Sequence, residues 1–317
     1  LTVDVLIPVY RPGKQLEQLL ERLHAQNCPI GKIILMNTEK AYFPEELEHR
    51  YENLEVHHLT KARFDHGGTR DEGIRMSEAD VVVCMTQDAL PENTFLLSAL
   101  LKAFSDPEVG AAYARQLPKK DCSEVERYTR RFNYPEESRT KSAEDLPELG
   151  VKTFFCSNVC AAWRRDTYLK LGGFEKKTVF NEDMIFAGRL IQAGGKIAYC
   201  ADARVIHSHN YHAVQQFHRY FDLAVSQTMH PEVFGGVRSE SEGMRLVVKS
   251  IRHCIRIGRP WLIFTVVAQN AGKFLGYRLG RRFQKLSRRL VLACTMNRSF
   301  WLDRKRVVEG KSGELGG

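Results

Sequence analysis

The run Asp80-Val81-Val82-Val83-Cys84-Met85 carries no polar side chain after its first residue. A strand built from it is apolar on both faces, so both faces must be covered. That is the situation of a parallel sheet flanked by helices. The neighbouring segments agree. Val3 to Pro8, Lys32 to Met36, Leu54 to His58 and Gly110 to Ala114 read as further short strands. Between them Gln15 to Gln26 (with Leu16, Leu19, Leu20 and Leu23 at helical spacing), Pro44 to Tyr51, a segment capped by Thr69 and running to about Ser77, and Thr94 to Phe104 read as helices. Strands alternating with helices predict an α/β fold with a Rossmann-like, mostly parallel sheet.

The pattern changes after residue 114. Residues 115–153 are polar, charged and broken by prolines, with little strand pattern, and are expected to form a functional loop region. Phe154 to Phe174 is a compact apolar unit, a helix follows Asn181, and a short strand precedes His207. From His212 onward the chain is helical and increasingly basic. Met244 to Gly317 holds 17 Lys and Arg against 3 Asp and Glu, whereas residues 1–243 hold 30 against 35. The net charge of +9 therefore belongs to the last quarter, and points to an anionic surface. The organisation expected is a catalytic domain over 1–212 and a basic helical region over 213–317.

The eight cysteines form no paired C-x-x-C arrangement, and Cys156 and Cys160 are the nearest neighbours. Free thiols in a reducing cytosol are the expectation. No secretory signal is read before Val3. A spanning helix needs about 20 apolar residues, and none is read near the tail. The Gly-rich end, Glu309 to Gly317, is expected to fray.

Ligands of open parallel sheets sit beyond the carboxyl ends of the strands. Three such ends carry polar residues: Pro8-Val9-Tyr10-Arg11, Asn37-Thr38-Glu39 and Thr86-Gln87-Asp88-Ala89. Asp88 emerges from the most apolar strand, where a carboxylate can hold a divalent cation that bridges a diphosphate. A turn residue before Pro91 would look the same. His66-Gly67-Gly68-Thr69-Arg70 places two glycines at a helix start, suited to a phosphate or simply to a turn. Asn181-Glu182-Asp183 opens a helix. Its acids are either dipole partners or a general base. His207 and His209 follow a strand, and only one of them is expected to face a site.

Taken in order, "VLIPVYRPGKQLEQLLERL", "FDHGGTRDEGI", "TQDALP", "SNVCAAWRRDTYLKLGGFEKKTVFNEDMIFAGRL" and "ARVIHSHNY" resemble the inverting GT-A glycosyltransferases of family 2, in their rhamnosyltransferase-like branch. The resemblance covers residues 3–211. It implies a GT-A fold and a catalytic domain whose 115–153 segment lies on the acceptor side. It implies that Pro8, Val9, Tyr10 and Asn37 line the nucleoside pocket, and that Thr69 and Arg70 approach the nucleotide. Gln87 stands where an acid is more usual, which leaves Asp88 as the main carboxylate on Mg²⁺ or Mn²⁺. It implies Asp183 of the Glu182-Asp183 pair as the base, and Trp163, Gly172, Gly173 and Phe174 as the shape of the acceptor side. His207 completes the metal site, with His209 second. The donor implied is dTDP-rhamnose, with a UDP-hexose as the alternative. The acceptor implied is a glycan, lipid-linked in related enzymes.

The tail adds a location. Arg245, Lys249, Arg252 and Arg256 share one helical face opposite Val247, Val248, Ile251, Cys254 and Ile255. A second stripe, Leu279, Phe283, Leu286 and Leu290, is flanked by six basic residues. Such helices bind anionic membrane surfaces, here the inner face of the plasma membrane. The alternatives are that the stripes pack on the catalytic domain or pair across a homodimer. Nucleic-acid binding is not favoured, because few aromatics interleave with the cations.

Overall fold

The computed structural model describes residues 1–237 and 241–302. These fall into two compact units, one built mainly from Leu1–Lys176 and Glu182–His209, the other from Lys177–Asn181, Asn210–Gly236 and residues 241–302. The Gly-rich end lies outside the described residues.

The first unit carries strands β1 (Val3–Tyr10), β2 (Ile33–Thr38), β3 (Leu54–Leu59), β4 (Val81–Met85), β5 (Leu90–Pro91), β6 (Val109–Leu117), β7 (Arg139–Lys141), β8 (Cys160–Arg164) and β9 (Lys196–Ile206). Its helices are α1 (Lys14–His24), α2 (Glu45–Glu48), α3 (His66–Met76), α4 (Leu96–Lys102), α5 (Glu124–Asn133), α6 (Leu146–Leu149), α7 (Arg165–Lys170) and α8 (Glu182–Gln192). The strands form one sheet in the order β3-β2-β1-β4-β8-β6-β9-β5, with β7 beside β9. As its composition requires, every residue of β4 is buried. Helix α1 buries Leu16, Leu19, Leu20 and Leu23, the stripe its spacing predicts.

Three features differ from the sequence expectations. First, the sheet is mixed. β1 to β4 run parallel, but β8 is inserted antiparallel between β4 and β6. Nothing local in Cys160–Arg164 announces this, since register against two distant strands decides it. Second, residues 115–153 are not a loop. β6 continues to Leu117, α5 starts on a Ser123 cap whose hydroxyl accepts the Glu126 N–H, and β7 pairs with β9. Third, α3 starts before Thr69. Asp65 is the cap, its carboxylate accepting the Gly68 N–H at 2.6 Å. A carboxylate outcompetes a hydroxyl at that position because it complements the helix dipole as well.

The second unit consists of α9 (Ala213–Met229), α10 (Pro231–Phe234), α11 (Ser241–Arg256), α12 (Leu262–Gly280) and α13 (Arg288–Cys294). Its core gathers Val179, Phe221, Val225, Val291, Cys294 and Phe300. The stripe Leu279 to Leu290 does not form one helix. α12 ends at Gly280, and Ser287 caps a new helix by accepting the Leu290 N–H. Leu279, Phe283 and Leu286 pack on the core instead. Helix α11 forms as expected, with Arg245, Lys249, Arg252 and Arg256 exposed. Among the described residues, no helix is long and apolar enough to cross a membrane.

Helix α12 lies against α9 through Gly272, Gly276 and Gly280. A Cβ at Gly276 would stand 2.1 Å from the carbonyl oxygen of Phe217. Backbone cannot yield that distance cheaply. Gly276→Val is therefore expected to destabilise the fold by about 1–3 kcal/mol, the usual cost of overpacking, while the same change at exposed Ala271 does little. Thermal unfolding of the two variants checks this, and equal melting temperatures would exclude the close packing.

Candidate active site

The chain leaves β4 in a tight turn in which the Ala89 N–H donates to the carbonyl of Thr86 at 3.1 Å. Gln87 is occupied there. Its Oε1 accepts the Tyr10 N–H at 2.9 Å and its Nε2 donates to the Tyr10 carbonyl at 3.1 Å. The side chain thus clamps the end of β1 instead of standing free for a donor. Asp88 follows, half-buried. His207 comes directly after β9, its N–H donating to the Leu117 carbonyl. The Nε2 atoms of His207 and His209 lie 3.5 and 3.4 Å from the same Asp88 oxygen. Both imidazoles thus meet Asp88, where only one was expected; the expectation was mistaken, since residues two apart along a strand share a face. The ligand atoms of the three residues lie within 4.8 Å of one another.

The electrostatics suit a cation. Burial alone would raise Asp88, but the neighbouring His207, with Thr86 and His209, holds it far below the usual carboxylate range. Burial lowers His207 against the pull of Asp88. Burial and the neighbouring His207 lower His209 to about 4. Near neutral pH the trio offers one carboxylate and two uncharged imidazoles, the protonation state a metal requires.

The second cluster is at the start of α8. Glu182 and Arg70 form an ion pair at 3.1 Å with both side chains more than nine-tenths buried. Asn158 donates from its side chain to Glu182 and from its backbone to Asp183 Oδ2 at 3.0 Å, and its Oδ1 accepts the Trp163 indole N–H. Burial would raise Glu182, yet Arg70 and His66 hold it below its ordinary value. Asp183 moves the other way, up to about 7, through burial and the adjacent Glu182 charge. A pair of acids with diverging values divides the work: one stays ionised, the other exchanges a proton near neutrality.

The remaining sequence candidates divide. Arg70 is committed to Glu182 and to the His66 carbonyl, and the buried Thr69 hydroxyl accepts the Asp65 N–H. Neither is presented to a nucleotide, because α3 starts earlier than expected and turns both inward. Glu182 is sealed by the same pair. Trp163, Phe174, Tyr168 and Phe186 stack edge-on in a closed aromatic core, and Gly173 lies against Asp71. They support α8 from behind and do not form an acceptor wall. Tyr10 stays exposed at the end of β1, with Pro8 partly and Val9 fully buried. Asn37 is buried, donates to His58 at 2.9 Å, and its Oδ1 meets no donor among the described residues. Two neighbours join them: Arg11, which the sequence places at this strand end without a role, and Tyr42, which it does not single out. The Arg11 guanidinium lies 4.5 Å over the Tyr42 ring, which meets Tyr10 edge-on. The positive φ of 49° at Arg11 has no signature in residue type.

A family model described as "Glycosyl transferase family 2" matches residues 4–172. The chain belongs to this family. It is 35% identical over 303 residues to the O-antigen chain rhamnosyltransferase RfbN of Salmonella typhimurium, covering 94% of this chain and 96% of that one. It is 36% identical to the O-antigen chain rhamnosyltransferase WbaN of Salmonella anatum, covering 94% and 95%. The fold is similar to that of the mannosyltransferase PcManGT of Pyrobaculum calidifontis, solved with GDP-Man and Mn²⁺ (TM-score 0.56, 17% identity, 95% of this chain and 84% of that one). It is also similar to residues 1–349 of TarS from S. aureus, solved with UDP-GlcNAc (TM-score 0.50, 14% identity, 90% and 92%). The chain is a glycosyltransferase with a GT-A-like α/β fold and an additional helical region.

Within this glycosyltransferase the assignment of Arg70 to structure has a direct consequence. Arg70→Met leaves Glu182 buried and unpaired, which typically costs about 3–5 kcal/mol. The variant is expected to melt well below the wild type with no nucleotide present. Wild-type stability combined with lost donor affinity would return Arg70 to the nucleotide.

Proposed function

We propose that this glycosyltransferase moves L-rhamnose from dTDP-rhamnose, with inversion, onto a lipid-linked glycan acceptor of cell-surface polysaccharide synthesis. The observation that carries the donor sugar is the likeness to two rhamnosyltransferases over nearly the whole chain, helical region included. Asp183 takes the proton of the acceptor hydroxyl. Its oxygen bonds to the anomeric carbon as the bond to the diphosphate breaks on the opposite face, so a single displacement inverts the centre. Asp88, His207 and His209 are the residues that would hold a divalent cation, which when bound neutralises the departing diphosphate. Two imidazoles in the set favour Mn²⁺ over Mg²⁺, whose preference is for oxygen ligands. Tyr10 with Tyr42, and the free acceptor of Asn37, belong to the nucleoside side.

Thermal shifts with Mn²⁺ and dTDP-rhamnose, UDP-glucose, UDP-galactose or GDP-mannose test the donor. A ligand at 100 times its Kd stabilises by about 2.7 kcal/mol, and dTDP-rhamnose is expected to give the largest shift. A larger shift with a UDP-hexose would replace rhamnose. The base is tested by pH. Asp183 acts deprotonated, so transfer is expected to fall as pH drops through about 7, and Asp183→Asn to lose about 10²-fold or more. A flat profile from pH 5 to 8 in single turnover would remove Asp183 from the role.

The helical region supports a place at an anionic membrane surface, the inner face of the plasma membrane. On α12 and the residue before it, Trp261, Phe264, Val267, Phe274 and Leu275 are 51–81% exposed, and Phe264, Val267 and Phe274 recur at helical spacing on the side away from the glycines that meet α9. Helix α11 adds the exposed cations. Aromatic residues beside basic ones match an interfacial helix. The protein is expected to float with vesicles of phosphatidylethanolamine and phosphatidylglycerol. Phe264→Asp with Phe274→Asp should remove that binding. Dimerisation without flotation would assign the stripe to a second copy of the chain.

A further inference from the structure

We propose that Gln116 is the positioning residue that fixes the ring tautomer of His207, and so turns a lone pair toward the cation. The inference rests on the reading that Asp88, His207 and His209 hold that cation.

Gln116 sits near the end of β6, opposite Val205 of β9, and is 3% exposed. Its Oε1 lies 3.2 Å from His207 Nδ1 and accepts a hydrogen bond from the Arg130 guanidinium. Its Nε2 donates to the Ser157 hydroxyl at 3.2 Å. Arg130 is in turn held by Glu126 one helical turn away, at 2.6 Å.

The chemistry follows from donor inventory. A guanidinium only donates, so the amide of Gln116 must present its oxygen to Arg130. The same oxygen then faces His207 Nδ1. An acceptor there requires Nδ1 to carry a proton, which leaves Nε2 with its lone pair. Nε2 is the atom that faces Asp88. Without Gln116 the proton is free to sit on Nε2 and donate to Asp88, closing the pair on itself with no lone pair left for a cation. Ligating histidines are commonly oriented in this way by a partner on the other nitrogen. The partner here is a neutral amide whose polarity is set by Arg130, two steps from the site.

Mn²⁺ binding to the full chain, followed by electron paramagnetic resonance in the presence of dTDP, tests the inference without any turnover. Gln116→Leu is expected to weaken Mn²⁺ binding by about 10- to 100-fold, the usual effect of removing such a partner. In a His207→Ala background the same change is expected to add no further loss, because independent effects would add. Gln116→Glu keeps an acceptor for both Arg130 and His207, and is expected to hold Mn²⁺ at least as tightly as the wild type. Unchanged affinity in Gln116→Leu, or an equal loss with and without His207, overturns the proposal. So does weaker binding in Gln116→Glu, whether or not Gln116→Leu folds. Failure of the wild type itself to bind Mn²⁺ would instead remove the metal site, and this inference with it.

Discussion

The buried contact between Arg70 and Glu182 constrains the rest of the active site. Two charges removed from water are tolerated only where geometry and extra hydrogen bonds compensate both. Here α3 supplies Arg70, α8 supplies Glu182, and the segment before β8 supplies Asn158. Three elements far apart in sequence are thereby fixed to one point. Asp183 is the next residue on α8, so its position follows. Its raised value follows as well, from its burial and from the Glu182 charge beside it, which the fold must keep.

Asn158 and Ser157 show how the two clusters are joined. Ser157 receives Gln116, which also meets His207, and the next N–H of the chain goes to Asp183. This short stretch thus sets the spacing between the Asp88 cluster and Asp183, the groups proposed to hold the cation and to take the proton. In a single displacement, nucleophile and leaving group lie on opposite faces of one carbon, and that spacing decides whether both can be engaged together.

Much of this was legible in the sequence, for definite reasons. β4 is apolar on both faces, which announced its central place and the exit of Asp88 at a strand end. The Glu182-Asp183 pair stood at a helix start, where α8 begins. What was not legible depended on contacts across long separations. Trp163 reads equally as a binding aromatic or a core one, and only its indole bond to Asn158 and its ring neighbours decide for the core. Thr69 and Asp65 are both good caps, and the choice between them moved Arg70 from a ligand role to a structural one. Gln87 looked like a substituted metal acid, whereas its amide matches the N–H and C=O of one residue of β1, Tyr10. The histidine pair shares one target, as residues two apart along a strand do, so the expectation of a single ligand misjudged the spacing.

Helix α12 inverts the usual arrangement of a surface helix, with its smallest residues inward and its largest apolar ones outward. Handling of the protein in solution then becomes a competition between two forces. At low ionic strength the exposed cations of α11 keep molecules apart and, on the proposed reading, hold them to an anionic surface. Salt above about 0.15 M shortens the screening length below roughly 8 Å and weakens both effects. What remains is the apolar stripe, which salting-out anions such as sulfate strengthen. The salt that would loosen the proposed hold on acidic lipid is therefore the salt that favours self-association through the stripe, and the solubility of the protein should pass through a maximum at intermediate salt.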